Sequence, residues 1–148
     1  MARLTKFVDA APGADLSAGE AFLKNTCAAC HSSTSTGSGF GPSLAGSKNR
    51  ATDAILTAII DPSHAVESVF RTYRIETQDG ETYDGFFGDE SADALTIRFA
   101  GNTQQVVPVR NIKQAGYIEG SSVMPEGLID PLIDKQIIDL VRYVQSLR

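Results

Sequence analysis

The chain has 148 residues, of which 42% are hydrophobic and 21% are charged. This size and composition suit one globular domain with its own core and exclude a chain that is disordered over most of its length. The formal net charge of −5 argues against nucleic acid as a partner and favours a partner surface that carries lysine or arginine. No apolar run in the sequence approaches the length of a membrane span.

The first 14 residues predict a linker. Met1 to Phe7 contains no hydrophobic stretch like that of a signal peptide, and Val8 to Ala14 is rich in Ala, Pro and Gly. We therefore expect residues 1–14 to be a linker or an expression-derived N-terminus, and residues 15–148 to form a single domain.

A helix is predicted from about Ser17 to the cysteines that follow it. Ser17 and Glu20 have the spacing of a capping box, in which the serine accepts hydrogen bonds from first-turn amides and the glutamate reaches back. The apolar residues Ala21, Phe22 and Leu23 come next. This helix is expected to end at the motif described below.

The pentapeptide Cys27-Ala28-Ala29-Cys30-His31 follows directly. C-x-x-C-H is the attachment signature of c-type haem, because two thiols at this spacing can each form a thioether to one porphyrin while the adjacent imidazole reaches the iron. The chain has two cysteines and two histidines, and three of these four residues lie here. The pentapeptide therefore predicts one covalent haem c, attached through Cys27 and Cys30, with His31 as a ligand of the iron.

Three other interpretations of the two cysteines remain open. A thioredoxin-like redox pair belongs at the start of a helix near a β-α-β pattern, whereas a helix is predicted to end here. A structural zinc site needs four ligands, and only His64 is left to contribute. A disulfide between such close neighbours would close too short a loop to stabilise much.

Two more helices are predicted after a loop rich in Ser, Thr and Gly at residues 32–41. Thr52 or Asp53 caps a helix that runs through Ile60. Asp61-Pro62 ends it and can start a third helix, since proline suits the first helical position. The buried face of that third helix would consist of Val66, Val69 and Phe70.

From Tyr73 onward the sequence alternates with the period of strands. Residues 73–77 and 82–87 flank an Asp79-Gly80 turn and predict a hairpin. Further extended segments are predicted at 94–99, 105–109 and 111–118. Together these segments predict a small antiparallel sheet at roughly residues 71–120.

The last predicted element is the clearest helix. Asp130 caps it, Pro131 takes the first position, and apolar residues then recur at helical spacing to the end of the chain. These residues are Ile133, Ile137, Leu140, Val141, Val144 and Leu147. Such an apolar face must dock on another apolar surface.

A helix that leads into C-x-x-C-H and a second helix at the C-terminus together resemble class I cytochrome c, in which these two helices cross beside the haem. By this resemblance Gly19 and Phe22 lie at the crossing, and Tyr143 faces them. The resemblance also implies that Pro42 offers its carbonyl to the ring N–H of the histidine ligand, with a plain loop proline as the alternative. The implied fold class is a mainly α cytochrome c fold with an inserted antiparallel β-sheet.

The same resemblance implies a methionine as the second axial ligand of the iron. Ser121 to Gly127 is similar to the methionine loop of class I cytochromes and contains Met124 in a turn-rich stretch that suits core packing poorly. Met1, the other methionine, lies at the N-terminus. His64 is the rival ligand, but its place in the first turn of a predicted helix favours a surface position.

The β insertion before the methionine loop resembles one family in particular, the haem-binding domains of the Pirellula/Verrucomicrobium type. The matching motifs cover nearly the whole chain after residue 14. They are Gly19, Phe22, Cys27 to His31, Gly41-Pro42 with Leu44, Asp61-Pro62-Ser63, Asp79-Gly80, Met124 to Leu128 and Tyr143.

Domains of that type often lie at the end of large secreted or membrane-associated proteins that carry dehydrogenase-like propellers. The resemblance therefore implies an electron carrier rather than an enzyme, located in the periplasm or otherwise exported. Its partners would be redox proteins or a fused dehydrogenase-like domain. We expect a monomer that binds no nucleic acid.

Two other functions remain open. An open or labile sixth position on the iron would make the chain a sensor or enzyme for a gas or peroxide, with Glu126, Arg50 and His64 as polar candidates. The sheet would instead be a docking module if its aromatic residues were exposed, although most of them suit a sheet core. These residues are Tyr83, Phe86 and Phe87.

Overall fold

The structure of the protein is a computed structural model that describes residues 2–11, 13–33 and 37–148. Within these residues the α-helices are α1 (Ala2–Ala10), α2 (Leu16–Phe22), α3 (Thr52–Ile60) and α4 (Asp134–Ser146). A π-helical turn, Leu23–Cys27, continues α2. The strands are β1 (Arg71–Thr77), β2 (Thr82–Glu90), β3 (Ala94–Phe99), β4 (Thr103–Pro108) and β5 (Ile112–Ser122). Single 3-10 turns occupy Ser47–Asn49, Ser68–Phe70, Ala100–Asn102 and Val109–Asn111.

Helix α1 differs from the linker predicted for residues 1–14. Val8 is fully buried in the core that the helices form. Arg142 of α4 donates hydrogen bonds from Nη2 to the carbonyls of Val8 (3.2 Å) and Asp9 (3.3 Å). Thr52 Oγ1 donates to the Asp9 carboxylate at 2.5 Å. These partners are distant in sequence, so the local composition alone could not indicate that this segment packs.

Helices α2 and α4 cross in close contact at Gly19. A Cβ added to Gly19 would lie 2.2 Å from the carbonyl oxygen of Asp139 and 2.8 Å from Cβ of Tyr143. Only glycine leaves room for such an approach, because heavy atoms cannot come this close without displacing one of the helices. The predicted crossing of Gly19 and Tyr143 is confirmed.

The helix starts differ from the predicted caps. Asp15, rather than Ser17, caps α2, and its Oδ1 accepts hydrogen bonds from the amides of Ser17 and Ala18, both at 3.0 Å. Helix α4 begins at Asp134 instead of Pro131, and Ile133 N donates to the Gln136 side chain at 3.0 Å. Several residues near each start can cap a helix, and packing decides which of them does.

The predicted third helix is wrong. After α3 the chain forms turns and the 3-10 turn Ser68–Phe70 instead of an α-helix. Val69, which was expected on a buried face, is 72% exposed. Pro62 is the residue that becomes buried in this segment. The three apolar residues from 66 to 70 are too few to bury a complete helical face.

The five strands form one antiparallel sheet in the order β4-β3-β2-β1-β5. Gly80, with φ +93°, turns the chain between β1 and β2 as the Asp79-Gly80 pair predicted. Strand β5 returns to pair with the far side of β1. The expectation of a mainly α fold is therefore only partly met, because the strands contain about as many residues as the α-helices.

The sheet and the helices have separate hydrophobic cores. On one face of the sheet Ile75, Leu95, Ile97 and Val107 are buried together. The helical core contains Leu23 from the turn after α2, Leu56 from α3 and Val141 from α4. Each part of the chain thus supplies its own apolar burial.

We predict that Gly19→Ala lowers the free energy of unfolding by about 2 kcal/mol or more, because the added methyl must push α2 away from α4. Urea unfolding of the holoprotein measures this change. Gly116→Ala is the matched control, since nothing lies within 4 Å of a Cβ added there. The control should stay within about 0.5 kcal/mol of the unchanged protein. Equal stabilities of the two variants would contradict the close crossing.

Candidate functional site

The C-x-x-C-H pentapeptide begins at the last residue of the π-helical turn that continues α2. The π-helical turn closes with a hydrogen bond from Ala28 N to Leu23 O at 2.9 Å. The amides of Cys30 and His31 then both donate to the carbonyl of Cys27, at 3.1 and 2.9 Å. Cys27 packs against the helical core, and Cys30 and His31 are partly buried. One tight turn therefore carries both thiols and the imidazole.

The His31 ring is oriented by a backbone carbonyl. Its Nδ1 lies 2.7 Å from the carbonyl oxygen of Pro42. Because a carbonyl can only accept a hydrogen bond, Nδ1 carries the proton and donates it. Nε2 is then left with a free lone pair, which is the form of imidazole that binds a metal. The contact that the resemblance to class I cytochrome c implied for Pro42 is present.

Two glycines let the following loop fold tightly around His31. The amide of Gly41 donates to Cys30 O at 2.7 Å, and a Cβ at Gly41 would lie 3.2 Å from Cε1 of the His31 ring. Gly37 has φ +108°, and a Cβ there would lie 1.9 Å from the carbonyl oxygen of His31. The sequence predicted only a loop here, since a close approach to a distant backbone atom leaves no local pattern.

The two thiols do not have the character of a redox pair. Burial raises the pKa of the Cys27 thiol to about 11, with the neighbouring Cys30 as the second cause. Burial also raises the pKa of the Cys30 thiol. Both thiols are unpaired and protonated at neutral pH, whereas the attacking cysteine of a thioredoxin-like pair has a lowered pKa. The redox-pair and disulfide interpretations therefore lose support.

The zinc interpretation also loses support. Across residues 2–11, 13–33 and 37–148, no group of three or more His, Cys, Asp or Glu side chains is arranged to hold a metal ion. The side chain of His64 is 65% exposed, and its Nδ1 lies 3.6 Å from the Asp61 carboxylate. His64 therefore lies at the surface as expected, although in a turn rather than in the predicted third helix.

Met124 lies in the loop between β5 and α4 and is partly buried. Its amide donates to Ser122 Oγ at 3.1 Å. The amide of Ser122 in turn donates to Ser63 Oγ at 3.2 Å. The methionine loop is therefore tied to the segment that follows α3. Both serines belong to longer sequence motifs, and neither has a local pattern that predicts these hydrogen bonds.

The remaining candidates have no shared site. Arg50 and Glu126 are exposed, and the carbonyl of Arg50 accepts a hydrogen bond from Gln145 at 3.1 Å. Phe86 is only 7% exposed, and Tyr83 and Phe87 pack against the core of the sheet. These three aromatic residues are therefore interior residues rather than an exposed docking patch.

A family model described as Cytochrome c matches residues 16–97, which is more than half of the chain. The chain belongs to the cytochrome c family. This membership implies covalently bound haem c with its iron and supports a haem-binding, electron-transfer function. Members of the family are generally electron carriers, and their domains are typically exported. A comparison with curated proteins found no match.

The match includes the cysteines, His31 and Pro42 of this cytochrome but ends before Met124. The donors present nevertheless fit haem c by their chemistry, since two unpaired thiols and an imidazole with a free Nε2 share one turn. In the part of the chain that the structure describes, no helix is long and apolar enough to cross a membrane.

We predict that Gly37→Ala destabilises the holoprotein by at least about 1 kcal/mol more than Gly39→Ala. Both glycines have positive φ, at +108° and +69°, so both variants strain the backbone. Only the first places a methyl against the His31 carbonyl, because nothing lies within 4 Å of a Cβ at Gly39. Urea unfolding of the two variants measures the difference. Indistinguishable stabilities would mean that the loop does not close on His31.

Proposed function

We propose that this cytochrome is a one-electron carrier with a single haem c, attached through Cys27 and Cys30 and ligated by His31 and Met124. The observation that carries the proposal is the 2.7 Å hydrogen bond between His31 Nδ1 and the Pro42 carbonyl. This bond frees Nε2 for a metal and has no use in a thiol redox pair. A haem bound by these residues would supply one-electron exchange between ferric and ferrous iron.

Each residue has a separate part in this proposal. Cys27 and Cys30 would hold the porphyrin by thioether bonds at the turn that follows α2. Pro42 fixes the His31 ring and keeps its proton on Nδ1, which increases the basicity of Nε2. The thioether of Met124 would be a soft, neutral donor to the iron, would favour the reduced state and would exclude small ligands from the iron.

The position of Met124 supports its assignment as the second ligand. It is the one methionine among residues 2–11, 13–33 and 37–148. Its backbone is held by Ser122 directly before α4, the helix that crosses α2. The rival ligand His64 points into solvent beside Asp61. A thioether therefore suits the second position better than a second imidazole.

We further propose that the chain is a domain of the Pirellula/Verrucomicrobium type, in which α1 packs with residues 15–148 as part of one unit. The support is the five-stranded sheet between the histidine and methionine loops. In that setting the domain would work in the periplasm or another exported location. Its electrons would be exchanged with a redox protein or with a fused dehydrogenase-like domain.

The test of this function uses protein matured in cells that attach c-type haem. We predict a mass equal to the chain plus one haem, a methionine-to-iron charge-transfer band in the ferric spectrum, and no carbon monoxide binding when reduced. Met124→Ala should lose the band and bind carbon monoxide, because its thioether no longer occupies the second position. His64→Ala is the matched control and should behave as the unchanged protein.

Two results would overturn the proposal in different ways. A measured mass equal to that of the chain alone would show that no haem is covalently attached. Ready binding of carbon monoxide by the unchanged protein, with no methionine band, would show an open position and favour the sensor or enzyme hypothesis instead.

A further inference from the structure

The sheet has a buried aromatic residue that belongs to neither hydrophobic core. Phe87 packs on the core of the sheet, so its neighbour Phe86 points to the opposite face. Phe86 is nevertheless only 7% exposed. Something outside the sheet must therefore cover it.

The residue that covers Phe86 comes from the histidine loop. The rings of Phe40 and Phe86 have their centroids 4.4 Å apart, and Phe70 adds a second contact to Phe86 at 6.0 Å. Phe40 directly precedes Gly41, which packs on the His31 ring, and Pro42, whose carbonyl accepts the hydrogen bond from His31 Nδ1. Strand β2 thus anchors the segment whose carbonyl orients His31.

The other end of the sheet is joined to the methionine loop. Ser122, the last residue of β5, accepts a hydrogen bond from Met124 N through its Oγ and donates its own amide to Ser63 Oγ. The hydroxyl of Thr72, which is 3% exposed, donates to the carbonyl of Ser121 at 3.1 Å. The pairing of β5 with β1 therefore fixes the point from which the methionine loop starts.

We propose that the β-sheet positions both axial ligands, holding His31 through Phe86 and Phe40, and Met124 through Ser122 and Ser63. The proposal rests on the function proposed above and gives the insertion a role within it. The residues act indirectly, through the Pro42 carbonyl on one side and through the backbone of Met124 on the other.

The order of the elements along the chain explains how one sheet can position both His31 and Met124. The chain leaves the helical part at Arg71, shortly after Ser63, and returns at Ser122, two residues before Met124. Register pairs Arg71 with Ser122, so the entry and the exit of the insertion lie side by side. The Phe86 contact then adds a second attachment on a different strand. With two attachments the sheet cannot rotate relative to the helices, whereas a single attachment would leave it free to do so.

The histidine side is tested with Phe86→Ala, and Phe87→Ala is the matched control. Phe87 is an equally large ring on the same strand, but it packs into the sheet core rather than against Phe40. The readout is the rate at which the His31 Nδ1 proton exchanges with solvent, followed by NMR of the ferric holoprotein. We expect exchange about tenfold faster in Phe86→Ala, the change that weakening the hydrogen bond by about 1.4 kcal/mol would cause.

Exchange in Phe87→Ala should stay within about twofold of the unchanged protein, where a twofold change is about 0.4 kcal/mol. Equal rates in the two variants would overturn the histidine side of the proposal. Phe86→Leu serves if Phe86→Ala does not fold, because leucine keeps the apolar volume but loses the ring contact. It should exchange faster than the unchanged protein, and unchanged exchange in Phe86→Leu would also overturn the proposal.

The methionine side is tested by adding imidazole to the ferric holoprotein, because imidazole must displace the Met124 thioether to bind. Ser122→Ala and Ser63→Ala should each bind imidazole about fivefold more tightly, since each loses one hydrogen bond that holds the loop. Ser91→Ala is the matched control, because the Ser91 hydroxyl forms its hydrogen bonds within the β2–β3 turn, accepting from Asp93 N and Ala94 N and donating to Ala94 O. Affinities equal to the control would overturn this side of the proposal.

Failure of the inference and failure of the function can be told apart. If the unchanged protein lacks methionine ligation, the proposed function fails. The exchange rates of the Phe86 and Phe87 variants then still show whether the sheet positions His31. If ligation is present and no variant differs from its control, only the positioning role of the sheet is overturned.

Discussion

The close approach of α2 and α4 at Gly19 is the constraint on which the rest of this cytochrome depends. It fixes the direction in which α2 runs and therefore where the C-x-x-C-H turn emerges. The side chain of Asp139 strengthens the same crossing, because it is 5% exposed and its carboxylate accepts hydrogen bonds from Asp15 N at 2.7 Å and Lys135 Nζ at 2.6 Å. A carboxylate this buried is tolerated only with such partners, so the crossing and the start of α2 depend on each other.

The candidate site is built largely from backbone atoms. A carbonyl orients His31, two glycines let the loop close on it, and burial keeps the cysteine thiols protonated. Backbone groups held in a packed loop cannot change rotamer, so the imidazole keeps one tautomer and one orientation. The chemistry of the pentapeptide therefore depends on residues as far along the chain as Pro42.

The sequence predicted the elements whose signal is local. The pentapeptide, the Asp79-Gly80 hairpin and the amphipathic C-terminal helix each follow from residue types at fixed spacing, and the structure contains all three. Helix α1 and the exposed Val69 were predicted wrongly, because burial by distant residues overrides a weak local pattern. The contact between Phe40 and Phe86 could not be predicted either. The alternating pattern of β2 shows that Phe86 and Phe87 point to opposite faces of a sheet, but not what covers each face.

We propose that His31 and Met124 ligate one haem, with the sheet inserted between the two loops that carry these residues. The proton NMR spectrum of the reduced holoprotein tests this claim most directly, because the ring current of a bound haem shifts the methyl of a methionine ligand far upfield. The account predicts one such methyl resonance, which disappears in Met124→Ala. Its absence from the unchanged protein, or its survival in Met124→Ala, would contradict the claim.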